Sequence, residues 1–404
     1  MSGRWPPAAS AVCSFGVQAL LVVQGVLIAR SLGPAARGDL GWIQWAPPLV
    51  TVIAFFGLTQ AIPALSGGRP ERREAYFWTG ITIALSLALV LAGVTALIFF
   101  TWRLPEPQIV ALGILFLLSS PLEVVFAFPR DYLVAEHDFQ RHDLLKLLLG
   151  AMTCGAIAML AAWHAVSVAS IVCAMLAASA LMGVVTWFLI PRRLLHRQFA
   201  TPAETKQLLH FGLLCLGAGF AGVVQTRLLQ LQVGTAFGPI GLGLFIVAMT
   251  WGGLGGAVWQ VVQVRFYPAL AAAVVRGEGR KMFRRAFQIG LALTAVAIVA
   301  GYAITPSVFP LLMGEKYAGG IELARAFAIA APFQAFGTFM GFCIRAMGFP
   351  GRALLSDYIG AGMTVLAAFV IIRCGLTENA LAAATGVGGL ASIVIAGTVG
   401  FRKA

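Results

Sequence analysis

From Ser31 to Leu40 the chain reads SLGPAARGDL, and from Ala236 to Phe245 it reads AFGPIGLGLF. Gly33, Pro34 and Gly38 of the first stretch recur as Gly238, Pro239 and Gly243 of the second, an offset of 205 residues. At the same offset Pro63-Ala64-Leu65 recurs as Pro268-Ala269-Leu270. Further along, an offset of 211 pairs Pro121 with Pro332, Arg141 with Arg352, Leu144 with Leu355 and Met152-Thr153 with Met363-Thr364. A six-residue insertion near the ninth apolar segment and its following loop accounts for the change of offset. Co-linear matches at two offsets read as a duplication.

The duplicated material is apolar. Hydrophobic residues make up 60% of the 404 positions and charged residues only 11%, whereas a soluble domain carries roughly 25% charged residues to wet its surface. The apolar residues come in long runs, among them Ile81 to Phe100, Leu147 to Trp163 and Val166 to Pro191. About 20 such residues cross a hydrocarbon core of roughly 30 Å as a helix, and a helix bonds each backbone group within its own segment. A membrane β-barrel requires short alternating segments instead, and these runs do not alternate. The expected fold class is an all-α polytopic membrane protein of about twelve transmembrane helices. The segments lie near 9–31, 39–65, 75–101, 108–133, 144–164, 166–190, 207–234, 239–270, 285–312, 319–346, 352–373 and 377–401.

The repeat offset divides these segments into an N-terminal six-helix lobe, 1–200, and a C-terminal six-helix lobe, 201–404. Six is even, so both lobes enter the membrane in the same sense, as a parallel repeat related by an axis along the membrane normal. Such a pair encloses a cleft and suits a transporter that works by alternating access.

Lysine and arginine give the orientation. The connections after the second, fourth, sixth, eighth and tenth segments, with the two termini, carry most of them, including Arg72, Arg73, Arg192, Arg193, Arg276, Lys281, Arg284 and Arg285. The opposite side has Arg30, Arg37, Arg103, Lys316 and Arg373. The positive-inside rule then places both termini in the cytoplasm. A net charge of +13 attracts the membrane's own anionic lipids. Spread over many short loops, it does not describe a nucleic-acid partner. The first segment reads as a retained helix, not a cleaved signal peptide.

Little points to catalysis. Cys13, Cys154, Cys173, Cys215, Cys343 and Cys374 lie in or at the ends of apolar segments without metal-type spacing, as small buried hydrophobes do. The histidines are scattered towards segment ends, and no phosphate-binding GxxxxGK[ST] loop occurs. No connection is long enough for the extracytoplasmic domain of a membrane polymerase or ligase. We therefore expect no enzyme, no cofactor and no metal centre.

The segment ARSLGPAARGDL, Ala29 to Leu40, resembles the end of the first helix and following turn of polysaccharide-type exporters in the multidrug/oligosaccharidyl-lipid/polysaccharide exporter superfamily. Gln225 to Met249 is similar to that family's seventh helix, turn and eighth helix, and Met313 to Gly319 resembles its ninth-to-tenth connection. The resemblance covers most of the chain through structural glycines and turns. It implies a V-shaped pair of lobes around a central cavity in a bacterial cytoplasmic (inner) membrane. It further implies a flippase moving polyprenyl-pyrophosphate-linked oligosaccharides from the cytoplasmic to the outer leaflet for cell-surface polysaccharide synthesis. One departure concerns coupling: relatives often carry an acid just after the arginine of the seventh helix, whereas here Arg227 is followed by Leu228.

A charge at membrane depth costs roughly 2.5–3.5 kcal/mol on insertion scales, so each one needs a reason. Glu123, with Gln334 as its repeat counterpart, is a candidate for proton or sodium coupling, against a structural interhelical bond. Asp357 is a second candidate. Arg227, with Gln225 and Gln230 nearby, suits a pyrophosphate because a guanidinium offers several donors in a planar fork; an ion pair between lobes is the competing reading. Arg30 at the end of the first segment either meets cargo or snorkels to headgroups. Gln260 and Arg265 either line the cavity or, for Arg265, snorkel likewise. Arg130 and Asp131, adjacent on a helix, are expected to cap or pair with neighbouring helices and not to face each other. Glu322 and Arg325, spaced i,i+3, are expected to pair. Trp78, Trp102, Trp163 and Trp187 fit interfacial belts.

Two transport functions remain. A lipid-linked oligosaccharide needs a cationic, hydrated cleft, while its tail stays in lipid. A drug or cation antiporter of the same superfamily needs acidic and aromatic walls. The scarcity of deep acids favours the first. The expected partners are the lipid-linked oligosaccharide, membrane lipids and a coupling proton or sodium ion, with the protein acting as a monomer.

Overall fold

The computed structural model describes residues 7–66, 70–101, 107–136, 138–191, 194 and 197–403. Among them every regular element is a helix and no strand occurs. The α-helices are α1 (Pro7–Leu32), α2 (Pro34–Ile43), α3 (Pro47–Phe55), α4 (Leu58–Ser66), α5 (Arg73–Thr101), α6 (Pro107–Phe116) and α7 (Ser119–Ala135). There follow α8 (Phe139–Ala162), α9 (Val168–Leu189), α10 (Pro202–Val275), α11 (Gly279–Met313), α12 (Ile321–Ala346), α13 (Pro350–Arg373) and α14 (Glu378–Lys403).

By length and composition, eleven helical segments of the described chain suffice to cross a bilayer. One of the eleven lies within α10, which has 74 residues, and a straight helix of that length would run about 110 Å. It is not straight. Gly238 takes φ +69° and ψ −170° and divides it into arms 202–237 and 239–275, each long enough to cross. Only glycine enters that backbone region without strain. The break falls between the segments expected at 207–234 and 239–270, so the described chain has twelve helical arms of spanning length.

Two expected continuous segments are broken. The second is built from α2, α3 and α4, because Pro47 and Pro48 have no N–H to bond back to the preceding turn and Phe56-Gly57 steps into left-handed backbone, φ +49° and +67°. The fourth is α6 followed by α7. Pro121 has no N–H to continue the helical ladder, and Ser120 turns its hydroxyl to donate to the Pro47 carbonyl, 3.1 Å away.

The chain forms two compact units, Met1–Leu27 with Trp42–Val223 and Ile28–Gly41 with Val224–Ala404. The first is centred on aromatic residues of α5 and α7: Phe77 meets Tyr132 edge-on at 5.0 Å between centroids and Phe128 at 6.1 Å. Trp78 and Trp187 join this cluster, 5.8 Å apart. Trp78 donates to the Leu194 carbonyl at 2.9 Å and Trp187 to the Val125 carbonyl at 3.2 Å. These two rings therefore bind helices together and are not free belt anchors. Trp163 is exposed, while Trp102 lies outside the described residues.

In the second unit, Trp259 stacks on Phe336 at 5.5 Å and packs against Phe339 at 5.1 Å. There α14 approaches α12 and α13 closely along small residues. Ser356 and Ser392 each donate a hydroxyl to the other's carbonyl, at 3.1 and 3.2 Å. Small residues and side-chain hydrogen bonds are how helices associate where lipid removes the hydrophobic drive.

Candidate functional site

The two Gly-Pro turns seen in the sequence meet in the second unit, reciprocally. A Cβ on Gly38 would overlap the Pro239 carbonyl, and one on Gly243 would overlap the Pro34 carbonyl. Residue and repeat counterpart exchange roles, as in an isologous interface. That contact explains why both positions are glycine, and it brings the first turn's charges against the second half of the chain.

Arg30 uses that placement at once. Its Nε donates to the Leu312 carbonyl at 2.8 Å and its Nη2 to the Leu311 carbonyl. Those are among the last carbonyls of α11, which ends at Gly314 with φ +93°. The end of a helix leaves such carbonyls without partners and carries partial negative charge, so Arg30 caps α11.

Arg37, one turn into α2, feels the charge of Arg227 and the phenol of Tyr317. Tyr317 is fully buried, and its hydroxyl has no hydrogen-bond partner among the described residues. Arg227 donates from Nη1 to Gln230 Oε1 at 2.7 Å. Gln225, buried, donates to the Thr364 hydroxyl at 2.8 Å. Further along the same arm, Gln232 donates to the Val365 carbonyl at 3.4 Å. Two guanidiniums, a buried phenol and several amides thus share one region. Asp357 on α13 forms an ion pair with Arg345 on α12, and a Cβ at Gly341 would sit 3.0 Å from its carboxylate. The side chains of Gln260 and Arg265 lie outside the described residues.

The first unit has a separate polar cluster. Glu123 lies on the exposed face of α7 while Val124, Phe126 and Phe128 turn inward. Arg130 follows seven residues later on the same face. Contrary to the expectation from sequence spacing, Arg130 pairs with its neighbour Asp131 at 2.7 Å. Its long side chain reaches round the helix and also lies over the Phe126 ring, 4.9 Å from the centroid. Asp131 Oδ1 is also 3.5 Å from His142 Nε2 of α8, and His142 Nδ1 is 3.0 Å from Asp143 Oδ1. Glu123 is close enough to feel Arg130 and Asp131. The expected Glu322–Arg325 pair is present at 2.9 Å. Among the described residues no group of His, Cys, Asp and Glu is placed to hold a metal.

A model of the family described as "polysaccharide biosynthesis protein" matches residues 27–322. The chain belongs to that family. No curated protein matches it. Among solved structures it is similar to the lipid II flippase MurJ in an inward closed conformation, with TM-score 0.78, 13% identity, and coverage of 96% of this chain and 87% of that one. It is also similar to an inward-facing multidrug resistance MATE transporter of the MOP superfamily, with TM-score 0.73, 18% identity and coverage of 97% and 96%. A MOP superfamily transporter from Pyrococcus furiosus, described by a binding pocket of reverse polarity, matches with TM-score 0.68, 18% identity and coverage of 98% and 95%. At these identities the likeness is one of fold. This member of the polysaccharide biosynthesis family therefore has the all-α, two-lobe membrane fold of the MOP superfamily.

Three features of this family member were not assembled from its sequence. Arg37 counts in the sequence only for orientation, because its electrostatic proximity to Arg227 joins residues 190 positions apart. Tyr317 sat inside a turn motif. His142 is one turn from Asp138 and next to Asp143 in sequence, but its bond to Asp131 crosses between helices. His142 precedes the expected segment at 144–164, among Gln140, Arg141 and Asp143, so only the fold could have found any of the three.

Proposed function

We propose that this chain flips a polyprenyl-pyrophosphate-linked oligosaccharide from the cytoplasmic to the outer leaflet of a bacterial inner membrane, for cell-surface polysaccharide synthesis. It works as a transporter and not as an enzyme, by alternating access between lobes 1–200 and 201–404, as a monomer with both termini in the cytoplasm. The observation that carries this reading is that Arg37 lies close enough to Arg227 to feel its charge. Two cations in one region repel, and an anion with several acceptor oxygens relieves that repulsion. A pyrophosphate is such an anion, and a guanidinium meets it with paired donors. Gln225 and Gln230, in the same arm as Arg227, belong with it to the proposed cargo region, and Gln260 and Arg265 are assigned to it from the sequence. Arg30 acts by holding α11 in place beside them. The family's description and the fold shared with a lipid II flippase support the same class of cargo.

Coupling falls to carboxylates. Glu123, on the accessible face of α7 with Arg130 and Asp131 in reach, binds a proton or sodium ion in one state and releases it in the other. Asp357, held by Arg345, is the second such group.

The test is reconstitution. Liposomes holding the purified protein should move a fluorescent polyprenyl-pyrophosphate oligosaccharide between leaflets, and Arg227→Ala should slow this at least about tenfold, the equivalent of one charge-assisted hydrogen bond. Arg227→Lys should recover part of the rate. A wild-type protein that exchanges protons for a cationic drug and leaves the glycolipid in place would overturn the reading in favour of an antiporter.

A further inference from the structure

We infer that the second unit carries a docking site for an anionic membrane phospholipid, at the junction of α10 and α11. A cavity of about 660 Å³ opens there, lined by Arg276, Glu278, Lys281, Arg284, Arg285 and Gln288 among others. Four cations face one carboxylate. Glu278 lies 3.8 Å from Arg276 and offsets that charge. Among the described residues no carboxylate pairs with Lys281, Arg284 or Arg285, and all three are exposed. They fall at i, i+3 and i+4, with Gln288 at i+7, so they form one face of the first two turns of α11. The opposite face, Phe283, Ala286 and Gly290, is buried in the unit's core.

What lies below the cations decides the occupant. The same face continues at spacings of three and four residues through Ala292, Val296 and Val299, all exposed. Val296 is 65% and Val299 70% exposed, with Leu291 beside them at 53%. From Arg285 to Val299 the stripe runs roughly 21 Å at 1.5 Å per residue, more than half the thickness of a hydrocarbon core of about 30 Å. A cationic cavity whose helix face continues as an exposed apolar stripe of that length matches a phosphate headgroup with acyl chains attached. A soluble phosphate would use the first part and leave the second empty. Zwitterionic lipids carry their own ammonium, which these cations repel, so the favoured headgroup has net negative charge, and two phosphates would suit it better than one. The site is independent of the cargo reading: it uses none of the residues assigned to cargo or coupling.

Native mass spectrometry of the purified full chain tests this, with phosphatidylglycerol or cardiolipin titrated against phosphatidylcholine of identical acyl chains. The wild type should prefer the anionic lipids by at least about tenfold. The exposed-residue variant Lys281→Gln with Arg284→Gln and Arg285→Gln should lose that preference, and Arg284→Lys with Arg285→Lys should keep most of it. Equal binding of phosphatidylcholine by the wild type, or an unchanged preference in the Gln variant, would overturn the site. Glycerol phosphate, which has the charge without the chains, should not displace the lipid at equal concentration. Displacement by it would overturn the assignment to a lipid.

Discussion

At Gly33-Pro34 and at Gly238-Pro239 the backbone takes the same left-handed step, with φ of +78° and +69°, and Gly38 and Gly243 each admit the other turn's carbonyl. The side chains around the two steps differ completely. The first copy carries Arg30, Arg37 and Asp39, where the second, 205 residues on, carries Thr235, Leu242 and Leu244. Leu242 is buried, while Arg30 caps α11 and Arg37 lies near enough to Arg227 to feel its charge. The duplicated contact demands very little: two glycines and a turn on each side. Everything else was free to diverge, and charge collected on one copy. Architecture thus resides in what the turns share, and the candidate chemistry in what they do not.

That division can be broken first at the shared part. Gly38→Ala should destabilise the protein by about 3 kcal/mol, since a methyl must displace backbone and not a flexible side chain. Gly243→Ala should do the same, and the double variant should cost less than the sum because both act on one reciprocal contact. Thermal unfolding in detergent measures this. Two independent, additive losses would mean that the turns do not support each other.

The unshared part should behave oppositely. Arg37→Leu makes the first turn resemble the second. Stability should change little, while affinity for a polyprenyl-pyrophosphate headgroup falls on the order of tenfold. An unchanged affinity would detach Arg37 from the cargo region. Arg30→Ala separates the two arginines. It should cost about 1–2 kcal/mol through the uncapped end of α11, seen by thermal unfolding. At a temperature where the variant is folded, its affinity for the headgroup should match the wild type.

How much of this was legible in the sequence follows from the same contrast. The Gly-Pro turns could be read because a backbone requirement repeats as residue identity, and the break at Gly238 fell where turn residues interrupt an apolar run. The breaks at Pro47 and Pro121 were hidden, since apolar residues continue on both sides and hydropathy does not register a missing N–H. The Arg130–Asp131 pair was missed because helix spacing describes where Cβ atoms point, and a long arginine side chain reaches beyond that. Arg30 and its carbonyls lie 281 and 282 residues apart, and no local pattern announces a helix end that distant. Arg37 and Tyr317 were visible only as an orientation charge and a turn residue, for the same reason.

A smaller effect marks how the first unit handles charge at the end of a helix, before the apolar segment expected at 207–234 begins. Arg72 donates to Glu204 from Nε at 2.8 Å and again from Nη2, and Thr201 donates its amide and hydroxyl to the same carboxylate, each at 2.9 Å. The arginine first, then the Thr201 amide, pull the Glu204 carboxyl down to about 2 from an ordinary 4.5. A depressed pKa stabilises the fold above the ordinary value, and the contribution is lost as pH falls from there through about 2. The melting temperature of the wild type should therefore drop more between pH 6 and pH 3 than that of Glu204→Gln. Parallel profiles would remove this pair from the stability of the first unit.

The central claim is that the divergent turn and the arm it touches hold an anionic glycolipid. Native mass spectrometry of lipid co-purified with the protein tests it most directly, comparing the wild type with the double variant Arg37→Leu, Arg227→Ala. The account predicts a bound polyprenyl-pyrophosphate glycolipid on the wild type and at least about tenfold less on the variant. Equal occupancy of both proteins, or a wild type that carries only phospholipid, would contradict it.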